Sequence, residues 1–181
     1  MVTKQKTQKI MLSTKVFKNG YKVAKGSEIA KNEENDCIVR AIANSFEIDY
    51  DSAHSFAKSK LGRKDKKGTT NSRGVLMNLK NQKLEFEKSG QLDLFCDNKV
   101  SKTIYFIGDC PKMGGKLRNR SYTHKDVAYT VKTFMDKFKK GTYFLIVNKH
   151  ALVCKDGVLI DNPGKRFAGY RRVVESAFTI Q

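Results

Sequence analysis

Thr142-Tyr143-Phe144-Leu145-Ile146-Val147-Asn148-Lys149-His150-Ala151-Leu152-Val153-Cys154-Lys155-Asp156-Gly157-Val158-Leu159-Ile160-Asp161 reads as three consecutive strands. Thr142–Val147 is apolar and β-prone. Asn148-Lys149 breaks the run, His150–Lys155 resumes it, and Asp156-Gly157 is a strong hairpin turn into Val158–Asp161. A two-residue turn at 156–157 pairs residue 155 with 158 and 152 with 161, so Asp161 is expected beside the start of the strand that His150 opens.

Downstream, Asn162-Pro163-Gly164 breaks the chain before a last alternating strand, about 170–180. Upstream, Val127, Val131, Phe134, Met135 and Phe138 share one helical face, with Thr123 or Thr130 as the cap and Gly141 as the stop. Short strands are expected at Leu84–Glu87, Leu92–Cys96 and Lys102–Ile107, and an exposed loop from Asp109 to Tyr122. The chain before residue 83 is helical in pattern. Ile38, Ile42 and Phe46 recur at i, i+4, i+8 over 37–47, with Asn35 or Asp36 as the N-cap. A second helix carries Ala53, Phe56, Ala57 and Leu61 between an Asp51 cap and a Gly62 stop, and a third, around 73–82, carries Val75, Leu76 and Leu79. Helices first and antiparallel strands after predict an α+β fold.

Residues 1–31 hold eight Lys against Glu28 alone, a local net of +7, and read as a basic arm with a possible hairpin around Asn19-Gly20. The remaining 32–181 is expected to form one domain, long enough to bury a core. With 39% hydrophobic and 10% aromatic residues the chain is not a disordered polyelectrolyte. No run is long enough for a membrane span, and the start lacks the apolar centre of an export signal. Cys37, Cys96, Cys110 and Cys154 are therefore expected as reduced thiols. They form no close C-x-x-C pair, so neither a metal nor another cofactor is expected. The 36 Lys+Arg against 18 Asp+Glu give a net charge of +18, which attracts polyanions such as nucleic acid or serves only solubility.

Chemistry concentrates in two places. Glu34-Asn35-Asp36-Cys37-Ile38-Val39-Arg40-Ala41 puts a cysteine in the first turn of a helix, where free N–H groups and the helix dipole lower a thiol pKa and can bind an oxyanion. Of the three histidines, His54 is expected near solvent or a capping carboxylate and His124 in a loop. His150 alone opens a strand within an apolar sheet, with Asp161 or Asn162 arriving beside it. Thiol nucleophile, imidazole base and orienting carboxylate are the parts of a cysteine hydrolase.

The words Asn35-Asp36-Cys37-Ile38-Val39-Arg40-Ala41-Ile42-Ala43, Lys67-Gly68-Thr69, Thr130-Val131-Lys132-Thr133-Phe134, and His150-Ala151-Leu152-Val153 through Asp161 resemble a group of small phage-encoded, papain-like proteins. The His-strand-turn-strand-Asp-x-Pro arrangement is similar to that of the bacteriocin-leader-processing peptidases. The resemblance covers about residues 33–165. It implies a papain-like domain over 32–181, in which N-terminal helices carrying the cysteine pack on a C-terminal antiparallel sheet carrying His and Asp. It also implies Cys37 as nucleophile, His150 as general base and acid, and Asp161 as the orienting carboxylate, with Asn162 as the fallback. Papain-like enzymes carry an oxyanion-hole Gln about six residues before the cysteine. Here that residue is Lys31, which leaves Asn35 or Asn32, with the Cys37 N–H, for the role.

Two functional classes follow. One is a thiol hydrolase in the host cytoplasm or the virion, cleaving a peptide, isopeptide or amide bond in a protein or peptide substrate; acyl transfer or deamidation would use the same groups. The other is a non-catalytic phage structural or accessory protein that binds nucleic acid or a virion partner through basic clusters. Arg63, Lys64, Lys66, Lys67, Arg118, Arg120, Arg171 and Arg172 are the candidate contacts, and no aromatic stacking platform is interleaved with them.

Overall fold

The structure is a computed structural model and describes residues 17–87, 99–109, 129–161 and 169–181. It is α+β: helices precede a sheet whose core is six antiparallel strands. In chain order the elements are β1 (Phe17–Asn19), α1 (Glu28–Lys31), α2 (Cys37–Phe46), α3 (Tyr50–Leu61), α4 (Ser72–Asn78), β2 (Lys83–Glu87), β3 (Lys99–Asp109), α5 (Val131–Lys137), β4 (Thr142–Val147), β5 (His150–Lys155), β6 (Val158–Asp161) and β7 (Val174–Ile180). The sheet order is β1-β6-β5-β4-β7-β3-β2, and β1 alone runs parallel to its neighbour.

The hairpin that the sequence announces is present in the expected register, Lys155 opposite Val158, Cys154 opposite Leu159 and Val153 opposite Ile160. Its turn residues Asp156 (φ 49°) and Gly157 (φ 72°) are both left-handed, the geometry whose twist matches flanking strands. Alternation along β4 and β5 divides two cores. Phe144, Ala151 and Val153 pack with Ile38, Ile42 and Phe46 of α2 and with Phe56 of α3. Leu145, Val147, Leu152 and Cys154 pack with Val131, Phe134 and Met135 of α5 on the other face. A strand buried on both faces needs apolar residues at every position, which is why Thr142–Val147 shows no alternation of its own.

Capping explains the helix limits. Asp49, rather than the expected Asp51, caps α3 by accepting from the Ser52 N–H at 2.8 Å, and Gly62 ends it in the left-handed region (φ 62°). Asp51 lies inside the first turn and accepts from the Ser27 hydroxyl. Thr130 caps α5 in a reciprocal pair with Thr133. α4 ends at Asn78, short of the expected 82.

From Phe17 on, the segment read as an arm lies on the domain. Phe17, Lys18 and Asn19 pair with Leu159, Ile160 and Asp161. Gly20–Ala24 is a 3-10 turn and not the second strand of a hairpin, and the Tyr21 ring stacks 4.1 Å from the Arg40 guanidinium of α2. The strand expected at Leu92–Cys96 lies outside the described residues, as does most of the loop expected over 109–122.

Candidate active site

α2 begins at Cys37, whose predecessor Asp36 occupies the cap position without capping. Its carboxylate is held instead by Arg40, with Nε donating to Oδ1 at 2.9 Å and Nη2 to Oδ2 at 2.7 Å, and by the Tyr50 hydroxyl at 2.7 Å. Two consequences follow for the thiol. The first-turn N–H groups have no side-chain cap, and the negative charge adjacent to Cys37 is compensated by a buried guanidinium. Asp36 also holds the Tyr50 hydroxyl protonated: burial and the bonded carboxylate both push its pKa up.

β5 carries His150. His150 Nε2 lies 2.6 Å from Asp161 Oδ1, on side chains only 17% and 11% exposed. Cys37 lies across the same cleft, near enough that His150 and the Ala151 N–H both favour its thiolate. The structure brings Cys37, His150 and Asp161 together.

The electrostatics couple the pair. Burial opposes the charged imidazole, but the hydrogen bonds to Asp161 and Cys37, reinforced by their charges, raise the His150 pKa to about 9. Burial likewise opposes the thiolate. The His150 hydrogen bond, the Ala151 N–H and the imidazolium charge outweigh it and the Asp36 charge, and hold Cys37 below the ordinary thiol value. The two shifts are mutual: the imidazolium favours the thiolate and the thiolate favours the imidazolium, so Cys37 and His150 titrate as a coupled pair. Cys154 is the contrast: buried between β4, β6 and α5, its thiol is pushed up to about 11, mainly by burial.

Cys37 and His150 open onto one cleft of about 830 Å³, whose walls include Tyr21, Asn35, Thr69, Lys149 and Glu175. Asn35 is exposed in the left-handed region (φ 54°) two residues before the thiol, and its amide bonds no described residue. Asn32 is not at the site: it terminates α1 and its amide donates to the Glu28 carbonyl. Lys31 is exposed and pairs with Glu28.

The segment before α2 is held by a polar cluster that local sequence reading missed. Arg63 Nη2 donates to Glu33 Oε2 at 2.6 Å and to the Glu34 carbonyl at 3.1 Å, the Lys66 N–H donates to Glu33 at 2.9 Å, and His54 Nε2 is 3.0 Å from Glu33 Oε1. Burial pushes the Glu33 carboxyl up, but these bonds prevail and lower its pKa to about 2. Glu33, His54 and Asp65 converge closely enough to ligate a cation, yet the Arg63 guanidinium already fills that role, 3.2 Å from His54 Nε2.

Arg63 is therefore corrected as a nucleic-acid contact: at 3% exposure its charge is spent on Glu33. His54 is buried against the Glu33 carboxylate, neither at solvent nor at a helix-capping carboxylate as expected. Lys64, Lys66, Lys67, Arg171 and Arg172 are exposed. Asn162, Arg118, Arg120, His124, Cys96 and Cys110 lie outside the described residues. No described helix is long and apolar enough to cross a membrane. Comparison with family models, with curated proteins and with solved structures found no match to this chain.

Proposed function

We propose that this protein is a thiol hydrolase that cleaves a peptide, isopeptide or amide bond through an acyl-enzyme, on a papain-like scaffold. The observation that carries the reading is that Cys37 and His150 line one open cleft, with His150 Nε2 held 2.6 Å from Asp161 Oδ1.

The reaction follows from the positions of these groups. The Cys37 thiolate attacks the substrate carbonyl, a C–S bond forms, and the carbonyl electrons pass to oxygen. That oxygen develops its charge beside the uncapped first turn of α2, where the Cys37 N–H and the Asn35 amide are the available donors. His150 gives its proton to the departing amine as the C–N bond breaks. The neutral imidazole then takes a proton from water, whose hydroxide releases the carboxylic acid and restores the thiolate–imidazolium pair. Asp161 fixes the ring and stabilises its charge. The uncapped first turn of α2, which Asp36 leaves open by bonding Arg40 and Tyr50, supports the same reading.

A non-catalytic scaffold that acts through its basic surface predicts a misaligned Cys–His pair. The shared cleft of Cys37 and His150 and the mutual shift of their pKa values favour the hydrolase. p-Nitrophenyl acetate tests the function without knowledge of the substrate. Release of many equivalents of nitrophenol per protein, abolished in Cys37→Ala and in His150→Ala, is expected; a single stoichiometric acetylation with no turnover overturns it.

A further inference from the structure

Glu175 sits in β7 where the register against β4 slips. Ile146 pairs with Ser176 and Val147 with Val174, so Glu175 is the extra residue of a β-bulge. A bulge bends its strand and re-aims one side chain out of the regular alternation. Here the re-aimed side chain is a half-buried carboxylate on the wall of the cleft that holds Cys37 and His150.

Its chemistry is unusual for its place. Two acids line this cleft, and Asp36 is fully engaged by Arg40 and Tyr50. Glu175 makes no hydrogen bond or ion pair with any described residue. That is not for want of cations, since the chain carries 36 Lys and Arg and Lys149 lines the same cleft from the exposed turn before β5. A partly desolvated carboxylate without a partner is costly to maintain and is a ready site for an incoming cation.

We propose that Glu175 is a specificity residue and that the substrate presents a lysine or arginine side chain to it while its scissile carbonyl faces Cys37. The proposal rests on the thiol-hydrolase reading and names its substrate class: a basic peptide or protein segment. The overall charge of +18 disfavours such a partner at long range, so the selection falls to this local contact inside the cleft.

Peptidyl acyloxymethyl ketones carrying Lys, Leu or Glu before the reactive carbon test it. The Cys37 thiolate displaces the carboxylate of the probe, forming a C–S bond as the C–O bond breaks, and mass spectrometry gives the rate. The Lys probe is expected to modify Cys37 about tenfold faster than the Leu probe and faster still than the Glu probe, the scale of one charge pair. Glu175→Gln should erase the preference, and Glu175→Lys should reverse it towards the Glu probe. Equal rates in the wild type, a wild-type preference for Glu, or a Lys preference that survives in Glu175→Gln overturns the assignment while leaving the hydrolase reading intact. Failure of every probe to modify Cys37 in any variant sinks the hydrolase reading itself, and this inference with it.

Discussion

His150 Nε2 and Asp161 Oδ1 lie 2.6 Å apart because β5 and β6 are joined by a two-residue turn, which brings the end of one strand beside the start of the other. Asp161→Ala removes both the acceptor that would orient the imidazole and the charge that would support imidazolium. Turnover of p-nitrophenyl acetate should fall by about 10³–10⁴-fold with the far-ultraviolet spectrum unchanged. A loss below tenfold would mean that Asp161 orients nothing.

The raised His150 pKa gives the protein a pH window. In the folded state the proton leaves near pH 9, against 6.5 for an ordinary imidazole. The stabilisation is complete below 6.5 and is lost as pH rises through about 9. Through His150, urea-unfolding stability should fall between about pH 7 and about pH 10, and His150→Ala should remove that fall; the depressed Cys37 pKa acts with the opposite sign, its contribution growing as pH rises through the thiol range. Hydrolysis needs the imidazolium as acid, so its rate should rise as Cys37 ionises, below the usual thiol range, and fall above about 9.

Asn35 can be tested apart from the nucleophile. Its φ of 54° strains any side chain other than Asn, Asp or Gly, so Asn35→Gly is the substitution that deletes the amide and spares the backbone. Ester turnover should drop by about 10²–10³-fold, while alkylation of Cys37, which develops no oxyanion, stays within about twofold. Equal losses in both reactions would exclude an oxyanion role.

The Glu33–Arg63 pair anchors the segment that leads into α2. Arg63→Ala leaves a carboxylate buried without its partner and should cost about 3–5 kcal/mol in urea unfolding. Because the folded Glu33 pKa is depressed to about 2 from 4.5, its contribution is present above 4.5 and lost as pH falls through about 2. Wild-type stability should decline across that range, and Arg63→Ala should flatten the decline. A cost under about 1 kcal/mol would identify the pair as incidental.

Local chemistry explains which parts of this arrangement were readable. Asp156-Gly157 fixes a register by itself, so the approach of Asp161 to His150 follows from counting residues. Cys37 precedes the apolar stripe of its own helix, so its place in the first turn follows from periodicity. The Arg63 and His54 environments do not follow, because their common partner Glu33 lies 30 and 21 residues away. A buried ion pair between distant residues has the same local sequence as a solvated basic loop. β1 is similar: a three-residue strand whose partner is β6 has no periodicity to detect. The bulge at Glu175 depends on how two strands meet and leaves no mark in either one alone.

The proposed hydrolysis requires Cys37 and His150 to form a poised ion pair. Its most direct test is iodoacetamide labelling of the native protein at about pH 6, where an ordinary thiol is under about 1% thiolate, with the rate at each cysteine read by mass spectrometry. Fast modification of Cys37 over Cys96, Cys110 and Cys154, falling at least about tenfold in His150→Ala, is the predicted result. Slow modification of Cys37, indistinguishable from the other three and indifferent to His150, would contradict the account.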